Sequence, residues 1–558
     1  MERIYGIDLG TTYSCIAYVD ENGKPVVLHN FEGDLTTPSV VHFESADNVV
    51  VGKEAKNACK LFPDRVVEFV KRNMGDPTFS YEVDGVAYKP EAVSSLILRK
   101  LVGDAAQALG EEIKDVVITC PAYFGNNERE ATRNAGELAG LNVHLILNEP
   151  TAAAICYGLD KQKDDQVVLV YDLGGGTFDV TVIALQQGDI QVVVTGGDHS
   201  LGGKDWDDRL TNYLAECFQN EHASETSPLD DKYSAQELAK AAEDAKKALS
   251  AREKYPLMVS HNGKRTRVEL TRETFDQITS DLLERTVELT RSLLDEAKAK
   301  GFSRIDQILL VGGSSKMPSV ARRVEEAFGQ PAQLFEPDLA VAKGAAVMGV
   351  KILAGEMIKE EVARQSGMDK DAVDLEQVDQ RKLETAAQAV SSTMGGVLRL
   401  PGRDLVEIVK RRITNVSSKG FGVVVVKDLE TMEEEVAYLI HHNTALPAEV
   451  VETGFTTLHD NQRSVEVRIM EQAGQTESPE LSDNKPIGEG EITGLPPNLP
   501  AGSPIHVTFR LEEDGTLQVT AVEPMSGATL QLNITVEGVM SSEEVAEMKG
   551  LLLKKNVS

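Results

Sequence analysis

The stretch 168–180, VLVYDLGGGTFDV, ends an apolar run on Asp172, spends three residues on glycine and restarts at Thr177. Glycine inside a strand is costly, and it occurs where the backbone must turn tightly or lie close to a ligand. A second stretch, GIDLGTTYSCIAYVD at 6–20, keeps the same order: an apolar run, Asp8-Leu9-Gly10, a turn carrying Thr11 and Thr12, and another apolar run. Each carboxylate closes a strand and can project into a cleft. The glycines behind it leave backbone N–H groups free to cradle an anion such as a phosphate. Two carboxylates set against such cradles suit Mg²⁺, which keeps several waters and bridges to phosphates. An ordinary β-turn would explain one copy; two copies argue for a ligand.

Three further segments offer the remaining parts of a phosphoryl-transfer site, which needs an in-line nucleophile and charge neutralisation. In LLVGGSSKMP at 309–318, Gly312 and Gly313 follow an apolar strand and precede a helix, so that turn could approach a nucleotide. FVKRNMG places Lys71 in apolar surroundings, where a snorkelling surface lysine is the alternative. LNEPTAAA places Glu149 after a strand and before Pro150, where an acid at a helix start is the alternative.

The elements that must position these residues change character along the chain. Residues 1–353 alternate strands with helical patterns in the α/β manner. The repeated glycine-rich hairpin suggests a duplicated, two-lobed fold whose hairpins face each other across a cleft. Between them, SAQELAKAAEDAKKAL at 234–249 predicts a helix capped by Ser234 with Glu237, with Leu238, Ala241, Ala242, Ala245 and Leu249 along one face. Residues 354–412 are charged and helical in pattern, ending in a connector. From 413 to 539 alternation replaces the helical period, which predicts a β-sandwich. Its clearest hairpin is HVTFRLEEDGTLQVTAV: Val507, Phe509 and Leu511 share a face, Asp514-Gly515 turns, and Leu517, Val519 and Ala521 return. Residues 540–558 begin a short capped helix.

Composition narrows the function classes. The chain has 558 residues, 41% of them hydrophobic, enough for several cores, and a net charge of −32 that argues against binding nucleic acid backbones. No stretch resembles a membrane span, and the N-terminus lacks a secretory pattern, so a soluble cytoplasmic protein without membrane partners is expected. The five cysteines are scattered and read as small buried hydrophobes, not metal ligands or disulfides.

The motifs GIDLGTTYS, VITCPAYFGNNEREATRNAGELAGL, LNEPTAAAICYGLD, YDLGGGTFDV, GGDHSLGGKDWDD, VGGSSKMP and EPDLAVAKGAAV occur in an order that resembles the seventy-kilodalton heat-shock chaperone family of the DnaK type. That resemblance implies an actin-like (ribonuclease H-like) ATPase domain over 1–353, with ATP and Mg²⁺ as cofactors. It makes Gly10, Thr11, Thr12, Tyr13, Gly174, Gly175, Gly176, Gly202 and Gly203 nucleotide-binding, with Thr11 and Thr12 on the phosphates. Asp8, Asp172 and Asp179 would serve the metal, and Lys71 and Glu149 would orient the attacking water, with Thr177 beside the γ-phosphate. Asp8, Tyr13, Thr177 and Asp179 also resemble the family's potassium positions, which adds K⁺ to the implied ions. Glu243, Lys246, Lys247 and Ser250 resemble the adenosine-binding helix, and Gly312, Gly313, Ser314 and Asp338 the base pocket. Lys316 stands where the family usually has an arginine; it keeps the charge but lacks the planar face. Pro121 and Arg129 match the interdomain switch proline and its arginine.

The C-terminal half resembles the family's peptide-binding β-sandwich more loosely. The alignment implies an apolar cleft lined by Phe421, Val423, Val426, Phe455, Leu458 and Val465, where an extended segment of an unfolded polypeptide would bind; plain core positions are the alternative. Two departures stand out. The segment 354–412 is an insertion and linker with Lys410, Arg411 and Arg412 where the family's linker is acidic and leucine-rich, and residues 540–558 offer only a vestige of the helical lid. A shortened lid implies weaker peptide affinity and faster release. The expected function is an ATP-dependent chaperone working with a J-domain co-chaperone and a nucleotide-exchange factor. The alternative is a nucleotide-dependent interaction module for one dedicated partner; a filament former or small-molecule kinase would share the hairpins but leave the β-rich half without a role.

Overall fold

The computed structural model describes residues 3–158, 165–222, 226–394, 399–513, 515–533 and 539–558. It is a mixed α/β structure in its N-terminal part and β-rich towards the C-terminus. The repeat in the sequence is a repeat in topology. In the first sheet the acid-ended strand Tyr5–Asp8 pairs antiparallel with Tyr13–Val19 and parallel with Asp115–Cys120. In the second, Gln166–Leu173 pairs antiparallel with Phe178–Gln186 and parallel with Gln307–Val311. Asp8 is in register with Cys15, and Asp172 with Asp179, so each hairpin presents its acid at the same end of its sheet.

Helices cover these sheets where the pattern supplies an apolar face. The helix Lys232–Ala251 buries Leu238, Ala242, Ala245 and Leu249, as its periodicity demands. Its cap is not the expected Ser234. Asp231 accepts a 2.8 Å hydrogen bond from the Ser234 N–H, and an aspartate three residues upstream caps as well as a serine while adding helix. The helix Ala340–Ser366 runs unbroken through the boundary expected at 353. Ala354, Ile358 and Val362 lie in one core with Cys15, Ala17 and Val19 of the first hairpin, so burial carries the helix on. The helices Gln380–Met394 and Gly402–Lys410 complete that core through Leu383, Ala386, Val390 and Leu405. The basic connector after them docks: Ile413–Thr414 adds a parallel strand to the edge strand Asp189–Asp198, and Arg412 N–H donates to Asp189 Oδ1 at 2.9 Å.

From Phe421 two four-stranded antiparallel sheets enclose a common core of Phe421, Ile440, Ile469, Ile492, Phe509 and Val519. The expected hairpin forms, Pro504–Leu511 against Leu517–Glu523, with Val507 opposite Ala521 and Phe509 opposite Val519. Asp514 of its turn lies outside the described residues. The helix Ser542–Leu552 packs away from these sheets. Val545 and Leu552 enter the core that holds Ile97, Leu138 and Val49, and Asn556–Val557 pairs parallel with Asn48 and Val49. No helix among the described residues is long and apolar enough to cross a membrane, and all five cysteines are free thiols, four of them buried.

Candidate functional site

The two glycine-rich hairpins meet. A Cβ on Gly175 would stand 2.1 Å from Thr12 Oγ1, and one on Gly176 would stand 2.2 Å from Thr11 Cγ2. What lies against these glycines is therefore the opposite hairpin, and any side chain there would wedge the two apart. Between them is an open cavity lined by Asp8, Gly10, Thr11, Thr12, Tyr13, Lys71, Glu149, Asp172, Gly174, Gly175, Thr177, Gly312, Gly313 and Asp338, all expected site residues. Gly312, at φ 83°, is as close as the hairpins are to each other: a Cβ on it would lie 2.3 Å from Asp172 Oδ1.

The remaining expected residues brace the cavity walls. Gly174 O accepts from Gly203 N–H at 3.0 Å and from Ser314 Oγ at 2.8 Å, and Gly202 N–H donates to Asp205 Oδ2 at 2.7 Å. Lys246 donates to Gly203 O at 2.8 Å and Asp207 Oδ2 at 2.6 Å, while Ser250 Oγ turns back to Lys246 O within its own helix. Lys247 donates to Tyr13 OH at 2.8 Å and to Glu243 at 2.6 Å, tying the helix to the first hairpin. Lys316 pairs with Asp338 at the mouth, where both side chains are well exposed.

Charge balance is the site's main chemical fact. Among the described residues, Asp8, Glu149, Asp172 and Asp179 are gathered about one cation, Lys71, which is 5% exposed and paired with Glu149. Lys71 sits on the short turn Val70–Asn73, entered through Phe69 at φ 58°, a conformation rare outside glycine. Burial raises the Asp172 carboxyl well above its ordinary value, and the charges of Glu149, Asp179 and Asp8 raise it further. Burial and Glu149 likewise push Asp8 up to about 7, and Asp179 is raised well above the usual range by burial and by Glu149. Burial pulls Lys71 down, but Glu149 and Asp8 outweigh it and hold the ammonium above its ordinary value. Asp179 Oδ1 accepts from Ala122 N–H at 2.8 Å, and its buried Oδ2 finds no hydrogen-bond partner among the described residues. Buried carboxylates in excess of cations are stable only when protonated or when a positive ion joins them. These all-oxygen donors beside glycine- and threonine-lined turns fit a hard divalent cation carrying phosphates.

Pro121 and Arg129 stand behind this site. Arg129 donates to Phe124 O at 3.0 Å, Ala122 O at 3.3 Å and Asn148 Oδ1 at 2.6 Å, clamping the turn after Pro121 to the residue before Glu149. The six residues expected to line a peptide cleft are not one surface. Phe421 and Val423 are core side chains, 3% and 4% exposed, closed to a peptide by the facing sheet. Val426, an odd number of positions along the same strand, points to the other face. Phe455 and Val465 pack against the core while half-buried, and Leu458 is half-buried in the following turn.

Several site residues escaped the sequence reading. Lys56 pairs with Glu243 at 2.7 Å and lies 5.2 Å above the Tyr13 ring. Arg72 Nε donates to Gly176 O at 2.9 Å, and its guanidinium pairs with Asp205. Thr119 Oγ1 reaches Asp8 at 3.4 Å. Asp205 and Asp207, inside GGDHSLGGKDWDD, Thr119, inside VITCPAYFGNNEREATRNAGELAGL, and Arg72, next to Lys71, carried a local signal; Lys56 carried none.

A family model described as Hsp70 protein matches residues 4–365 and 423–555. Among curated relatives, proteins named Chaperone protein DnaK from Halobacterium salinarum strains R1 and NRC-1 are each 38% identical, in alignments covering 98% of this chain and 77% of the relative. Residues 366–422, outside the family match, hold the helices Gln380–Met394 and Gly402–Lys410 and the docked strand Ile413–Thr414.

Proposed function

The chain belongs to the Hsp70 family, and on that premise we propose that it is a cytoplasmic ATP-dependent chaperone, an ATPase that binds exposed apolar segments of unfolded polypeptides. In this reading residues 1–353 with the rest of the helix Ala340–Ser366 form a two-lobed, actin-like nucleotide unit. The two sheets from Phe421 onward form the substrate-binding sandwich, with 366–420 as insertion and linker. A J-domain co-chaperone and an exchange factor complete the cycle.

The observation that carries it is the surplus of buried carboxylates under the paired glycine and threonine turns, with one oxygen of Asp179 left unpartnered. Bound MgATP would supply the cation that these carboxylates lack and the phosphoryl group to be transferred. Asp8, Asp172 and Asp179 hold the metal's waters, and the backbone of Gly10–Thr12 and Gly174–Gly176 takes the phosphates. A potassium ion at Asp8, Tyr13, Thr177 and Asp179 belongs to the same reading. Glu149 fixes Lys71 as an ammonium, and Lys71 orients the water that attacks, a role for positioning and charge instead of covalent chemistry. Tyr13, Glu243, Lys247, Gly312, Ser314 and Lys316 take the nucleoside end. The half-buried Phe455, Leu458 and Val465 are the peptide-side positions that remain open to an apolar segment.

Single-turnover ATP hydrolysis with and without an unfolded peptide tests this. Turnover that rises on adding peptide is expected; hydrolysis indifferent to saturating peptide would reject the coupled chaperone. One observation favours a narrower second reading, a module for a dedicated partner: the segment 366–422 lies outside the family match yet is built into the N-terminal core. Affinity capture in ATP and ADP separates the two, many unfolded clients against one stoichiometric protein.

A further inference from the structure

Away from the nucleotide cavity, two carboxyl groups crowd one backbone position, Gly125, at the junction of the β-rich unit and the N-terminal half. Glu471, in the strand Ser464–Gln472, is 2% exposed, and its Oε1 accepts a 3.2 Å hydrogen bond from Asn126 N–H at the start of the helix Asn126–Leu138. Glu128 belongs to the first turn of that helix. Gly125 marks where the two acids converge: a Cβ there would lie 2.9 Å from both Glu471 carboxyl oxygens and 3.0 Å from Glu128 Oε2. That Oε2 is buried and has no hydrogen-bond partner among the described residues. The same junction is held by Ser418 Oγ, which donates to Phe124 O at 3.0 Å.

The other charges facing Glu471 are two lysines. Lys419 approaches from the segment before Phe421, and Lys485 stands opposite Glu471 in the strand ladder, where it also faces Asp76. Neither forms an ion pair with Glu471 among the described residues, and burial lowers Lys419 from its ordinary value. Two carboxylates crowded about one backbone position cannot both stay ionised without cost, whereas a proton on Glu471 removes the repulsion.

We propose that this junction is a proton-dependent latch, in which a proton on Glu471, beside the Glu128 carboxyl, holds the β-rich unit against the N-terminal half and its loss loosens the contact. Burial, and then the Glu128 charge, push the docked Glu471 carboxyl up to about 7. Parted from the helix it returns to the ordinary glutamate value of about 4.3. The closed form therefore keeps a proton that the open form gives up. Docking strengthens as pH falls from about 7 towards about 4.3, by at most about tenfold per unit, and is level outside that window.

Hydrogen exchange of the full chain between about pH 5.5 and about pH 8.5, corrected for intrinsic base catalysis, reads this in segments 124–130 and 417–422. Wild-type protection there should fall several-fold per unit up to about pH 7 and then flatten. Glu471→Gln keeps an acceptor for Asn126 and carries no charge beside Glu128, and should stay protected throughout. Glu128→Gln should move the fall to lower pH. The strand Phe178–Gln186 should exchange alike in all three proteins, which establishes folding. If wild type and Glu471→Gln share one pH profile, or if neither junction segment is protected at any pH, the latch does not exist.

Discussion

Lys56 Nζ stands 2.7 Å from Glu243 Oε1, a pair 12% and 14% exposed that joins the helix Lys53–Ala58 to the helix Lys232–Ala251 across the mouth of the cleft. Lys247 holds the same carboxylate at 2.6 Å. Burial opposes the charge on Glu243, but Lys56 and Lys247 overcome it and depress the carboxyl to about 2.

Because the folded value is depressed, this stabilisation is complete above the unfolded glutamate value of about 4.3 and is lost as pH falls through about 2; its upper bound is about 3 kcal/mol. Glu243→Gln should therefore lower Tm at neutral pH, with the difference narrowing below about pH 4.3 and closing only below about pH 2. Parallel thermal melts across that range decide it, and a Tm difference that does not narrow in acid would count against the pairing.

Lys71→Ala leaves Glu149 buried without its cation, which typically costs about 3–5 kcal/mol of stability. Hydrolysis should fall at least about a hundredfold, as for loss of a positioned catalytic group, while nucleotide affinity falls less. Asp172→Ala should lose hydrolysis and metal-dependent binding together. Calorimetry with single-turnover kinetics separates them, and equal loss of binding in both would contradict these roles.

Gly175→Ala puts a methyl group 2.1 Å from Thr12 Oγ1. The hairpins must part, so affinity for MgATP should drop at least about tenfold, equivalent to about 1.4 kcal/mol, with the β-rich unit unaffected. Isothermal titration against wild type provides the number.

Phe509 is 0% exposed at the centre of the two-sheet core. Phe509→Ala should cost about 3–5 kcal/mol, read as a lower urea midpoint by circular dichroism, while nucleotide binding by the N-terminal half persists.

The features legible in the sequence were those with local repetition. The two Asp-Leu-Gly hairpins and the Val507–Ala521 pairing each follow from a pattern within twenty residues, and each is present with its acids or apolar faces aligned. The expected peptide cleft was less well drawn, because strand alternation identifies a buried face without saying whether a ligand or a second sheet covers it; for Phe421 and Val423 it is a second sheet. Lys56 and Arg72 act through partners more than a hundred positions away, at 243 and 176, and no periodicity encodes such a pairing. The same holds for Asn556, which pairs with Asn48 after a helix that looked like a fragment of a lid.

That last contact couples the fold to the order of synthesis. Asn556 Nδ2 donates to a residue 508 positions earlier, and Arg99 Nη2 to Lys555 O at 2.9 Å. A ribosome takes on the order of tens of seconds to cover that distance. Until then the patch awaiting Val545 and Leu552 is bare oil on a half-made polypeptide, so a newborn copy spends its first moments exposing the kind of surface that mature copies are proposed to shelter.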